Sequence, residues 1–173
     1  VVQLVELLQQ SGVKTYDLGI THSTLLGNYT YGTSDIDIII YGKGNGWKIH
    51  KFMQNVKHPL LRWKTEQEWR EYYKTHKTSE SSHFTEDEYV RHVMRKWYEG
   101  MFGNSVFTMF TVEKPEEVWC PWESESYEPL GLATVEGEVV EDYNCIVRPG
   151  YYEIKNAKVI GGKNVDVKRI VTY

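Results

Sequence analysis

The sequence is short of three things, and each shortage excludes something. It holds only two cysteines in 173 residues, Cys120 and Cys145, with no C-x-x-C pair, and its six histidines form no H-E-x-x-H. A zinc site therefore has no support, and a reduced intracellular environment is the expectation. No apolar run approaches the roughly 20 residues of a membrane helix. No charged-then-apolar signal segment opens the chain at Val1, so no membrane partner is expected and the expected location is cytoplasmic. Basic charge is not in excess: 20 Lys and Arg stand against 24 Asp and Glu, a formal net charge of −4. That argues against binding duplex DNA through a broad basic face, which needs clustered cations to neutralise phosphates.

Aromatic residues are abundant, with 13 Tyr, 6 Trp and 5 Phe. Base stacking is one use for them, but packing in cores and interfaces accounts for most such side chains. At 173 residues the chain suits one domain with a small appendage. Val1, Leu4, Val5 and Leu8 predict an apolar helical face, stopped by Ser11 and Gly12. Tyr16, Leu18 and Ile20 alternate as a short strand, and Ser23 predicts the N-cap of a brief helix through Leu26. Asp35 to Tyr41 is the strongest strand pattern, followed by a glycine-rich turn over Gly42 to Gly46. Ile49, Phe52, Met53 and Val56 then repeat at helix spacing. Thr65 with Glu68, and Thr85 with Glu88, are capping boxes. The first opens a helix bearing Trp69, Tyr72 and Tyr73. The second opens one bearing Tyr89, Val93 and Trp97 and ended by Gly100. The polar run over 77–83 reads as a loop between them, and Val106 to Val112 as a third strand.

Pro115, Pro121 and Pro129 punctuate an acidic connector, after which the chain reads as strand: Ala133 to Val139, Tyr151 to Ile160, a Gly161-Gly162 turn, and Val165 to Val171. The organisation expected is an α+β domain over 1–114, a connector over 115–129, and a small β-rich unit over 130–173. A unit of 44 residues seldom holds a stable core alone, so it is expected to pack on the first domain.

The stretch that carries chemistry is Gly19-Ile20-Thr21-His22-Ser23, then eleven residues, then Asp35-Ile36-Asp37. Residues i and i+2 of a strand share a face, so Asp35 and Asp37 project side by side while Ile36, Ile38 and Ile40 face a core. Two adjacent carboxylates repel unless a cation sits between them. Hard oxygen ligands in this arrangement suit Mg²⁺, or Mn²⁺, with waters and substrate phosphates completing the shell. Such an ion can neutralise a triphosphate and align a hydroxyl for in-line attack at the α-phosphate. Ser23 and the N–H groups of its helix would hold phosphate oxygens. The plainer reading of D-x-D alone is a strand emerging from a solvated loop.

Thr21, Ser23, Leu25, Leu26 and Gly27, followed by Ser34, Asp35, Ile36 and Asp37, resemble the polymerase-β-like nucleotidyltransferase superfamily. Its stand-alone archaeal branch carries a T-G-S-L-L-x-G stretch leading to S-D-I-D. The resemblance implies a nucleotidyltransferase-like mixed sheet with helices. It implies Asp35 and Asp37 as catalytic metal ligands, and Thr21, His22, Ser23 and Ser34 as the nucleotide-contacting set. The glycine expected before the serine is His22 here, which adds bulk where the family's backbone approaches phosphate. Active members take a third carboxylate from a later strand. The corresponding strand has none, and Glu113 at its end is the candidate third metal ligand.

The activity expected is Mg²⁺-dependent transfer of a nucleotidyl group from an NTP to a hydroxyl acceptor on RNA, protein or a small molecule. The alternatives are a catalytically weak or inactive nucleotide- or RNA-binding module of the same fold, and a protein–protein adaptor using the aromatic β tail. Lys48, Lys51, Lys57, Arg62 and Lys64, interleaved with Trp47 and Trp63, form a basic stretch that suits a nucleic-acid backbone or, more simply, a solvated helix face.

Overall fold

The computed structural model describes residues 1–76, 84–119, 121, 123–124 and 126–172, so the loop expected over 77–83 lies outside the described residues. The fold is α+β. The chain divides into two compact units, one of Val1–Ile40 with Trp47–Phe110, the other of Tyr41–Gly46 with Thr111–Tyr173. Among the described residues, no helix is long and apolar enough to cross a membrane.

In the first unit, α1 (Val2–Gln9) buries Leu4, Leu7 and Leu8. Val1 precedes the first turn and is exposed, so Leu7 takes the place expected for it on the apolar face. The strand expected from Tyr16 is shorter than its alternation implied. Thr15–Asp17 form a 3₁₀ turn with Tyr16 exposed, and β1 is Leu18–Ile20. A brief α2 (His22–Leu26) leads through a loop to β2 (Ile36–Tyr41), where Ile38 and Ile40 are buried as the alternation requires. β1 pairs antiparallel with β2, Ile20 opposite Ile38.

The glycine-rich segment after β2 is helical rather than a turn, because α3 runs Lys43–Met53. Glycine disfavours a helix interior by about 1 kcal/mol, and packing explains its presence. A Cβ on Gly46 would lie 2.5 Å from Thr111 Oγ1 and 2.6 Å from Thr111 Cγ2. The helix thus starts early, with its first turn held close against the Thr111 side chain. Further along, Ile49 and Met53 join the core.

Both capping boxes form. Thr65 caps α4 (Glu66–Thr75) and Thr85 caps α5 (Glu86–Val93), each with reciprocal bonds to the Glu three residues on. Such a cap is worth about 1 kcal/mol. Trp69, Val90 and Val93 make a small cluster of their own. Two strands lacked a sequence signal: β3 (Leu61–Arg62) and β4 (Glu99–Phe102). Gly100 therefore does not end α5 but sits within β4. A Cβ there would come within 3.0 Å of the Arg62 carbonyl oxygen and the Trp63 ring, so glycine permits the close β3–β4 approach. β5 (Ser105–Val112) buries Phe107, Met109 and Thr111 in strict alternation. The five-stranded mixed sheet runs β1-β2-β5-β4-β3. Its core gathers Leu4, Leu8, Ile38, Ile49, Met53 and Phe107, all essentially inaccessible to solvent.

The second unit carries a separate antiparallel sheet, β6 (Ala133–Glu141), β7 (Gly150–Gly162) and β8 (Arg169–Thr172), in that order. Gly161 and Gly162 extend β7 by pairing with Thr134 and Ala133 instead of turning, and β8 starts later than Val165. Opposite charges face one another across the strands at Glu136–Lys158, Glu138–Lys155 and Glu153–Arg169. The Arg169 guanidinium lies 4.5 Å from the Trp119 ring and 4.8 Å from that of Tyr151.

Candidate metal and nucleotide site

Asp35 and Asp37 lie at the start of β2, on the opposite parity to the buried Ile38 and Ile40. Their electrostatics show that they share a neighbourhood. Partial burial raises the Asp35 carboxyl pKa first, and the Asp37 charge raises it further, while the Lys64 ammonium works in the other direction. Burial is the larger cause of the upward shift, and the like charge of Asp37 adds to it.

The pairing of β1 with β2 aims the chain that follows. The Thr21 N–H donates to the Asp37 carbonyl at 3.2 Å, which holds Thr21 extended and starts α2 at the next residue. Thr21, not Ser23, is therefore the N-cap. Its side chain makes no capping bond, and Ser23 lies inside the helix. His22 takes φ +54, a left-handed conformation that favours glycine. The backbone here thus adopts a shape that glycine reaches without strain, with an imidazole side chain in its place. That ring is well exposed, its Nδ1 3.2 Å from Asp37 Oδ2 and its edge toward Phe110 at 6.4 Å between centroids. The Ser34 Oγ accepts from the Thr30 N–H at 2.9 Å and so closes the loop that delivers Asp35.

Thr21, His22, Asp35 and Asp37 are thereby brought together, with Ser23 one residue further along α2. Glu113 belongs to the second unit. Its Oε1 is 2.7 Å from the Nζ of buried Lys43. Lys43 also donates to Asn144 Oδ1 at 2.8 Å and to the Glu117 carbonyl at 3.2 Å. Burial works against the Lys43 ammonium, but the bond and charge of Glu113, with Tyr151, outweigh it and raise its pKa. Glu113 thus serves as the counterion of a buried lysine. Among the described residues, no three His, Cys, Asp or Glu side chains converge as a ready metal cage.

The sequence reading missed an ion pair whose lysine acts electrostatically on Asp35. Lys64 directly precedes the α4 cap, and its ammonium pairs with Glu99 on β4. It also lies 4.4 Å from the Trp69 ring and 4.9 Å from that of Tyr72. Burial raises the Tyr72 hydroxyl pKa, and the charges of Glu99 and Asp35 add to it. The mixture of Lys64 with Trp63 in the basic stretch was the available signal.

The donor set fits a hard divalent cation of the Mg²⁺ class. It offers two carboxylates whose mutual repulsion such an ion relieves, with substrate and water left to supply further oxygens. The His22 contact occupies one Asp37 oxygen and competes for it.

Comparison with known proteins gives one relative. The chain is 27% identical over 176 residues to an uncharacterized protein of Methanocaldococcus jannaschii, MJ1086, and the match covers 99% of this chain and 48% of that protein. The chain thus spans about half the length of the curated relative it matches. No protein-family model matches the chain, and no solved structure matches it.

Proposed function

We propose that the chain is a nucleotidyltransferase of the polymerase-β-like kind, transferring a nucleotidyl group from an NTP to a hydroxyl acceptor. The observation that supports this best is the Asp35–Asp37 pair, two mutually repelling carboxylates at the mouth of β2 beside the Thr21–Ser23 turn. A bound Mg²⁺ would supply charge neutralisation for the triphosphate and polarise its α-phosphate. The chain itself contributes position. β2 fixes both carboxylates through the buried Ile38 and Ile40, and the Ser34–Thr30 bond fixes the loop that leads into Asp35. Thr21, His22 and Ser23 line the approach for phosphate oxygens. Glu113 is left out of the metal set because Lys43 holds it.

The test is incorporation of label from an α-labelled NTP with Mg²⁺, compared between the wild type and Asp37→Asn. Incorporation that Asp37→Asn abolishes supports transfer. A second reading, nucleotide binding without turnover, is favoured by the His22 contact on Asp37 at 3.2 Å and by the absence of any carboxylate within β5. It predicts that Mg–NTP raises the Tm through mass action with no labelled product.

A further inference from the structure

The Lys64–Glu99 pair is not used by the reading above, and its surroundings are unusual for a surface ion pair. The two side chains are only 13% and 17% exposed, and the Lys64 ammonium also lies against the rings of Trp69 and Tyr72. The lysine is held on several sides rather than left to wave in solvent. Two elements supply the hold. Lys64 sits just ahead of the capped first turn of α4, which fixes its backbone. Glu99 starts β4, opposite Thr108 on β5, and β5 is the strand next to β2 in the sheet. The sheet order therefore brings the pair toward the strand that carries Asp35 and Asp37.

We propose that Lys64 is the phosphate-binding cation of the Asp35–Asp37 site, contacting the polyphosphate of the substrate, and that Glu99 is the residue that positions it. The inference rests on the nucleotidyltransferase reading and names a part of the site that the resembling motif does not contain. An anionic polyphosphate approaching Asp35 and Asp37 meets two carboxylates, and the ammonium that Glu99 holds in place would supply the opposing charge. The influence of Lys64 on Asp35 and of both acids on Tyr72 agrees with this placement. A lysine has three donors, so pairing with Glu99 leaves N–H groups for phosphate oxygens.

A structural pair and a phosphate-binding lysine differ in sign. If the pair only braces α4 against β4, Lys64→Met and Glu99→Gln break the same contact and act alike. If Lys64 binds phosphate, they act oppositely, since one removes the cation and the other removes an anion that competes for it. The experiment titrates the full chain calorimetrically with tripolyphosphate and with Mn–ATP, and follows Mn²⁺ alone by electron paramagnetic resonance. Lys64→Met is expected to weaken tripolyphosphate and Mn–ATP binding about tenfold or more, while Mn²⁺ alone binds at least as tightly as in the wild type because a cation that acts on Asp35 is gone. Lys64→Arg retains the charge and stays within about threefold, and Glu99→Gln tightens tripolyphosphate binding.

Equal binding by wild type and Lys64→Met, or weakening by both Lys64→Met and Glu99→Gln, overturns the assignment of Lys64 while leaving the metal site intact. A wild-type chain that binds neither Mn²⁺ nor Mn–ATP overturns the nucleotidyltransferase reading and this inference together. Thermal melts of each variant identify any that fails to fold, and Lys64→Arg then carries the comparison with Glu99→Gln.

Discussion

Substituting Gly46 by alanine gives a direct check on how the first turn of α3 is packed. In an open helix the change is stabilising by up to about 1 kcal/mol, because alanine has the better propensity. Here the new Cβ would sit 2.5 Å from Thr111 Oγ1, 2.6 Å from Thr111 Cγ2 and 3.1 Å from Ile146 Cγ1. Thr111 is 6% exposed and lies within β5, so it cannot swing aside into solvent. Overpacking of this kind costs about 1–3 kcal/mol, which outweighs the propensity gain and leaves a net destabilisation of about 1–2 kcal/mol. Gly44→Ala is the internal control. It lies in the same helix, but its Cβ would meet only the Tyr143 hydroxyl, at an ordinary 3.6 Å, so it should leave stability unchanged or raise it. The assay is urea denaturation of both single variants and of Gly46→Ala combined with Thr111→Ala, which removes both offending atoms. In the double-mutant cycle the two substitutions together are expected to cost less than the sum of their separate costs. If Gly46→Ala proves as stable as Gly44→Ala, the close approach to Thr111 is wrong.

Three further outcomes follow from named groups. His22→Gly should be more stable than His22→Ala by about 1 kcal/mol, since both lose the Asp37 contact but only alanine keeps the left-handed strain; equal Tm values would contradict the φ of +54. Glu68 has its pKa lowered to about 2, first by the Arg62 hydrogen bond and then by the Thr65 backbone. Its stabilising contribution is therefore full above about pH 4.5 and lost as pH falls through about 2, worth no more than about 1 kcal/mol for so exposed a pair. Glu68→Gln should flatten that part of the pH–stability curve, and an unchanged slope would refute the assignment. Asp35 runs the other way. Its folded pKa is raised, so its contribution is favourable below the ordinary carboxylate pKa and is lost as pH rises through the folded value. Asp35→Asn should match or exceed wild-type stability at pH 7, by no more than about 0.5 kcal/mol after solvent screening, and a clear loss of stability there would contradict the shift.

Several local signals held, although the N-cap expected at Ser23 fell at Thr21 and the strand expected from Tyr16 began at Leu18. The triple-Ile run gave β2, and the alternation of Phe107, Met109 and Thr111 gave β5. The two Thr–Glu spacings gave the caps of α4 and α5, because a capping box is complete within four residues. The placement of Asp35 and Asp37 beside the Thr21–Ser23 turn followed from strand parity and short spacing. The other failures have a common physical cause in contacts distant along the chain. The glycines of 42–46 looked like a turn because helix propensity alone disfavours them. Thr111, 65 residues beyond Gly46 in the chain, is what makes glycine the residue that fits. Gly100 looked like a helix stop because β3 and β4 are two and four residues long, too short to show alternation. Lys64 and Glu99 were not seen as a pair, since the β3–β4 pairing and the β2-β5-β4 order are invisible to periodicity. Glu113 showed the opposite error. It had the right position at a strand end, but a buried lysine had already claimed it.

The most direct test of the central claim is label transfer by the purified chain. Supplied with Mg²⁺, each α-labelled NTP in turn and a mixture of RNA, protein and small hydroxyl acceptors, the wild type is expected to place label on an acceptor. Asp35→Asn and Asp37→Asn are expected to transfer none while remaining folded. Transfer that persists undiminished in both variants would show that these carboxylates are not the metal site. No transfer from any NTP, together with no metal-dependent nucleotide binding, would contradict the nucleotidyltransferase account itself.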